Sequence, residues 1–216
     1  MPNAESHSDH QSAVRLLACI CAAAAPVKGA EFGPDVVGIL HAQTRLQALD
    51  FWVRYPDYLA NELINEFALT SDRADLDLAR RILDDREPDL RRVPMIRFHF
   101  GAYEPVHNAI SILRSRELVR QQKVGDPNHL RETAYLLTSR GRDAMQRLAD
   151  LAPELAWYRD RAAVAARVAG GAGASALKDR QYLQKEYAAT PLRGTIPPIE
   201  DHVRERLRKI DEGDAG

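Results

Sequence analysis

The segment from Gly101 to Leu151 changes its hydrophobic period twice, and few folds accommodate that order of parts. Pro105 suits the first turn of a helix, where its missing N–H costs nothing. Behind it Val106, Ala109, Ile110 and Leu113 fall at i, i+3, i+4 and i+7, which predicts a helix over Pro105 to Arg116 with those four residues inward. The other face carries His107, Asn108, Ser111, Arg114 and Ser115, all able to hydrogen-bond and none acidic. Leu118 to Val124 and Thr133 to Leu137 then read as the two strands of a hairpin. Gly125-Asp126-Pro127-Asn128-His129 supplies turn formers between them, and Arg120, Lys123 and Arg131 put positive charge on or beside it. Thr138 is placed to cap a second helix by accepting backbone N–H groups. There Ala144, Leu148 and Leu151 begin an apolar stripe that runs on past Pro153 through Leu155, Tyr158, Ala162 and Ala165. Such spacing serves helix pairing, between subunits or within one chain.

Elsewhere the pattern is mostly helical. Residues 1–10 read as a disordered leader. Leu16 to Ala25 reads as an internal helix ending at Pro26, because the polar residues before it lack Lys and include Glu5 and Asp9, unlike a signal segment. Val36, Ile39, Leu46, Leu49 and Val53 recur near helical spacing and predict a helix from Asp35 to Arg54, stopped or bent by Pro56. A second helix follows from Asp57 to Leu69, and a third from Ser71 or Asp72 to Asp84 with Leu76, Ala79 and Leu83 on one stripe. The aromatic group Phe51, Trp52, Tyr55 and Tyr58 fits core packing, with a base-stacking or partner-binding platform as the competing role. Two prolines and many charges make Arg86 to Pro94 a loop. Ile96, Phe98 and Phe100 alternate with Arg97 and His99 as a half-buried strand that Gly101 ends. Gly170-Gly171-Ala172-Gly173 reads as a helix end, with Ser175 capping the next helix; no Gly-Lys-Ser/Thr phosphate element is present. Pro191 to Pro198 forms an irregular arm before a last helix carrying Ile199, Val203, Leu207 and Ile210. The sequential division is a leader (1–10), an N-terminal helical region (11–90), a central unit (91–152) and a C-terminal helical region (153–216).

Composition limits the function classes. With 216 residues and 45% hydrophobic content the chain can bury a sizeable core. Its net charge of -1 hides an asymmetry: residues 30–90 hold thirteen acids against six bases, and residues 91–149 hold eleven bases against five acids. That contrast suits a nucleic-acid surface or a self-complementary assembly. Only Cys19 and Cys21 are present, too close on one helix for an unstrained disulfide, which points to a reducing, cytoplasmic setting. No stretch approaches the roughly 20 apolar residues that cross a bilayer. The seven histidines show no metal-ligand spacing to one another or to the cysteines. No nucleophile elbow, His-Glu-x-x-His or glycine fingerprint occurs. A non-enzymatic protein without metal or cofactor is expected.

A helix that reads the major groove needs short or forked donors: Arg for guanine, Asn for adenine, Ser and His for bases or phosphates. Asn108, Ser111 and Arg114 meet that need at one-turn intervals, with His107, Ser115, Arg120, Lys123 and Arg131 placed for phosphates. Asn108-Ala109-Ile110-Ser111-Ile112-Leu113-Arg114-Ser115-Arg116-Glu117-Leu118-Val119, followed by Tyr135-Leu136-Leu137-Thr138-Ser139-Arg140-Gly141-Arg142, resembles winged-helix regulators of the PadR and MarR type. The resemblance covers roughly residues 103–151. It implies a mainly α fold with a small β-hairpin wing, a winged-helix unit flanked by N- and C-terminal helical segments, and a homodimer acting as a bacterial transcriptional regulator on duplex DNA. Two places depart from the pattern: a loop and strand over Arg86 to Gly101 stand where those families have a helix, and Glu117 stands where they have glycine. Arg91-Arg92-Val93-Pro94-Met95 and Phe100-Gly101-Ala102-Tyr103 more faintly resemble winged-helix middle subunits of bacterial ATPase-based defence systems. That likeness implies an adaptor docking onto a partner ATPase or effector protein.

Overall fold

The computed structural model describes residues 6–28, 31–125 and 132–214. Along the chain these form α1 (Ser6–Ala23), β1 (Ala25–Pro26), β2 (Val36–His41), α2 (Gln43–Arg54), α3 (Pro56–Thr70), α4 (Arg73–Asp84) and α5 (Glu87–Arg91). Next come β3 (Ile96–Phe98), β4 (Gly101–Tyr103), α6 (His107–Ser115), β5 (Val119–Val124), β6 (Glu132–Thr138) and α7 (Ser139–Leu151). The chain closes with α8 (Pro153–Ala169), α9 (Ala174–Tyr182), α10 (Lys185–Ala189) and α11 (Glu200–Asp214). The fold is mainly α with a small β-hairpin wing.

Contacts group these elements into two units that interleave in sequence. Unit 1 is Met1–Asp50 with Glu104–Leu177; unit 2 is Phe51–Tyr103 with Lys178–Gly216. This differs from the sequential division at 91 and 153, because the decisive contacts join segments far apart in the chain.

In unit 1 an antiparallel sheet has the order β1-β2-β6-β5. Tyr135 of β6 faces Leu40 of β2 on one side and Gln121 of β5 on the other. The expected helix from Asp35 is instead β2 up to His41, and the helix starts at Gln43. Val36, Val37, Ile39 and Leu40 are a short apolar run rich in β-branched residues, with Gly33 and Pro34 before it; over so few positions helical spacing and a buried strand look alike. Val36, Ile39, Ala134 and Leu136 form a cluster under the sheet, packed by Val27, Phe32 and Val124. α1 buries Leu16, Leu17, Ala18, Cys19 and Ile20. It packs on α8, α6 and α7, so Tyr158, Ala162 and Ala165 of the expected stripe are used within the chain, whereas α7 buries Gly141, Met145 and Ala149 and leaves Leu151 exposed. Because α1 begins at Ser6, residues 6–10 of the expected leader are helical. Both cysteines are free thiols; burial pushes Cys19 well up and Cys21 to about 12.

One buried guanidinium brings together the two places where the chain of unit 1 is interrupted. Arg15 Nε on α1 donates to Asp50 Oδ1 at 2.5 Å, and Arg15 also faces the Glu104 carboxylate at 3.8 Å. Gln47 Nε2 donates to the Glu104 carbonyl at 2.9 Å. Burial opposes the charge on Arg15, and the Asp50 carboxylate outweighs it, so the guanidinium pKa is raised. Asp50 is the last residue of unit 1 before the insertion and Glu104 the first after it.

Unit 2 is built on the aromatic group. Phe51, Trp52, Tyr55 and Tyr58 are at most 2% exposed, which bears out core packing. Phe51 meets Tyr55 and Tyr58 at centroid distances of 4.8 and 4.9 Å, within the range for favourable ring pairs. Their hydroxyls organise the irregular segments: Tyr55 accepts from Met95 N and donates to Ile196 O, and Tyr58 donates to Pro197 O. Arg86 to Pro94 is not all loop, since Pro88 sits in the first turn of α5. Gly101 does not end the strand but opens β4, at φ +118. The helix after the glycine run begins at Ala174, ahead of Ser175. α11 buries Val203 and Leu207 against α3 and α4. The acid excess of residues 30–90 finds partners here, Glu62 with Arg180, Asp84 with Arg204 and Asp77 with Arg80.

Two stability measurements follow. Arg15→Met removes the cation that faces the buried Asp50 carboxylate and lowers unfolding free energy by about 3–5 kcal/mol in chemical denaturation. Asp57, fully buried, accepts from Ile199 N at 2.6 Å and Tyr58 N at 3.0 Å. Burial outweighs those bonds and raises its pKa to about 6. The folded state then holds a proton between pH 4 and 6 that the unfolded chain has lost, so this contribution is full below pH 4 and vanishes as pH rises through 6. Wild type gains roughly 2–3 kcal/mol relative to Asp57→Asn on going from pH 7 to pH 4.

Candidate nucleic-acid interface

The geometry of α6 follows from its first and last residues. Val106, Ala109, Ile110 and Leu113 are buried as the periodicity requires. His107, Asn108, Ser111, Arg114 and Ser115 are all exposed. At the C-terminal end Glu117 turns the chain with φ +57, the left-handed conformation that glycine adopts freely and other residues adopt at a cost of about 1 kcal/mol. The glycine expected there from the resemblance therefore has a physical reason, and Glu117 carries the strain instead.

The joint between wing and α7 is equally specific. Thr138 Oγ1 accepts from Gly141 N at 3.0 Å and points its hydroxyl at the carbonyls of Glu117 and Leu118. A Cβ on Gly141 would lie 2.1 Å from the Leu118 carbonyl oxygen. The threonine caps α7, and the missing side chain lets α7 abut the chain that leads into β5.

Between α6 and β5 lies an open groove of about 600 Å³ lined by Ser111, Arg114, Ser115, Glu117, Val119, Arg120 and Gln121. It gathers four of the eight expected contact residues: Ser111, Arg114, Ser115 and Arg120. His107 and Asn108 lie at the other end of α6, and Lys123 lies farther along β5. Arg131 lies outside the described residues. Gln121 and Glu117 join the groove without having been expected there; alternation along β5 marks Gln121 only once the register with Tyr135 is known.

Several of these side chains are engaged within the chain. Asn108 Nδ2 donates to Asp9 Oδ2 at 3.1 Å. Arg120 pairs with Asp35 at 2.6 Å and approaches the Phe32 carbonyl. Lys123 Nζ donates to Thr133 Oγ1, and Ser115 Oγ to the Ile112 carbonyl. Glu117 faces Arg140 at 3.3 Å, with both side chains exposed. Such exposed pairs are worth at most about 1 kcal/mol, so a polyanion can displace the acids. Arg114 and Arg116 make no ion pair among the described residues.

Among those residues no group of three or more His, Cys, Asp or Glu is arranged to hold a metal ion, and no helix is long and apolar enough to cross a membrane. Compared with family models, with curated proteins and with solved structures, the chain matches none.

Gly141→Ala and Glu117→Gly separate the two constraints by opposite signs. The first forces a backbone shift and destabilises by about 2–4 kcal/mol. The second relieves the left-handed strain and leaves stability equal or up to about 1 kcal/mol higher, both read from thermal unfolding.

Proposed function

We propose that the protein is a non-enzymatic winged-helix protein that binds duplex DNA, working as a transcriptional regulator and as a homodimer in the cytoplasm. The observation that carries the reading is the open polar flank of α6 beside the groove of Ser111, Arg114 and Arg120. The order β2-β6-β5, with α1 before β2, α2 after it and α6 leading into the hairpin, supports it. So does Gln47 of α2, which donates to the Glu104 carbonyl just ahead of α6.

In this reading Arg114, which pairs with no acid among the described residues, contacts a guanine edge, and Ser111 a neighbouring base or phosphate. Asn108 contacts a base after leaving Asp9. His107, Ser115, Arg120, Lys123 and Arg131 meet phosphates, and each cation that does so adds to the salt dependence. Asp9, Asp35 and Glu117 oppose the same surface, which sets the affinity below that of an unopposed basic groove.

A second reading, an adaptor docking onto a partner ATPase or effector, is favoured by unit 2. There Leu69 and Leu183 stand 81% and 79% exposed on the rim of one groove, more than a monomer needs to show at one site.

Fluorescence anisotropy with duplex DNA over a range of salt tests the choice. Arg114→Ala costs about 1–3 kcal/mol and relaxes preference at one base, whereas Lys123→Ala weakens all sequences alike and flattens the salt slope. Absence of duplex binding at low salt, with a stable complex formed by an ATPase or effector subunit, selects the adaptor.

A further inference from the structure

In unit 2 the β3–β4 hairpin is fixed along both edges. Arg97 N donates to the Gly194 carbonyl and the Arg97 carbonyl accepts from Arg193 N, so the arm at 191–195 runs beside β3. On the other edge Ala102 N donates to Gln181 Oε1 at 3.1 Å. Gly101, at φ +118, closes the turn, and a Cβ there would lie 2.9 Å from the same Gln181 oxygen. The two turn residues, His99 and Phe100, are exposed, Phe100 by 69%. A phenyl ring thus stands in water on a tip that is held rigid and cannot fold it away.

The surroundings of that tip have a definite chemistry. On one face of the hairpin Phe98 packs on Tyr103 at 5.3 Å and on His99 at 5.0 Å. On the other, the Arg97 guanidinium and the Lys178 ammonium both lie over the Tyr182 ring, 5.0 and 5.4 Å from its centroid. Neither cation has an acid partner among the described residues; Arg97 Nη1 donates to the Thr190 carbonyl, while its Nε is buried without an acceptor. Arg193, beside Arg97 on the arm, is exposed and makes no ion pair among the described residues.

We propose that the β3–β4 tip is a contact for unpaired nucleotides, with Phe100 stacking on a base and Arg97, Lys178 and Arg193 drawing in the adjoining phosphates. Aromatic rings beside uncompensated cations are the combination that binds single strands irrespective of sequence, each stacked base contributing about 1–3 kcal/mol. An anionic lipid surface is the other polyanion with apolar parts. One phenyl ring does not hold a protein there, since even a whole myristoyl chain gives only marginal attachment. This site shares no residue with the α6 groove and does not rest on the duplex reading.

The test uses the full chain and a labelled oligothymidine. Phe100→Ala, at an exposed position and with unchanged circular dichroism, weakens binding about tenfold. Phe100→Trp retains affinity, and its added emission is quenched on titration, with wild type subtracting Trp52 and Trp157. Lys178→Gln flattens the salt slope, and Arg114→Ala leaves single-strand affinity unaltered, which keeps the two sites distinct. Oligothymidine binding by Phe100→Ala equal to wild type overturns the proposal. So does a Phe100→Trp signal that responds to phosphatidylserine vesicles and not to the oligonucleotide.

Discussion

The arrangement of unit 1 depends on a buried charge. Arg15 is sealed inside α1's contact face, and the Asp50 carboxylate offsets the cost of taking its guanidinium out of water. The same side chain reaches Glu104, so the place where the chain departs for unit 2 and the place where it returns are held to one point on α1. Bringing together two positions so far apart in the chain costs loop-closure entropy, which the contacts at Arg15 help to offset. A hydrophobic residue of similar volume at position 15 would remove the cation facing the buried Asp50 carboxylate, so breaking the pair costs far more than an exposed ion pair would.

A second constraint fixes the wing. Gly141 and Thr138 act together: one leaves room for the Leu118 carbonyl, the other satisfies the first turn of α7 and reaches back to the chain at Glu117. Position 117 must then turn left-handed, and the acid found there both strains the backbone and faces the groove. The surface of α6 is thus a balance between donors that point outward and acids that hold some of them, and the exposure of each pair keeps that balance soft.

Legibility from sequence tracked the range of the interactions. The span of α6, the hairpin and the Thr138 cap were readable because each depends on neighbours within a few residues. β2 was not, because Val36 to Leu40 is buried without the alternation that marks a half-exposed strand. The insertion was hidden as well: α2 runs as one helix from Gln43 to Arg54 across the boundary of the two units, leaving no linker composition to mark it. In the groove, the outward face was legible from periodicity. The acids that engage it were not, since Asp9 and Asp35 lie far upstream of Asn108 and Arg120.

The two thiols of α1 give unit 1 a clock of its own. Cys19 is 1% exposed, and its sulfur, like that of Cys21, stays protonated at neutral pH because burial disfavours the thiolate. An alkylating reagent therefore meets Cys19 only when α1 lifts away from its neighbours. The pace of that modification registers how often the helix breathes, with no label needing to be introduced.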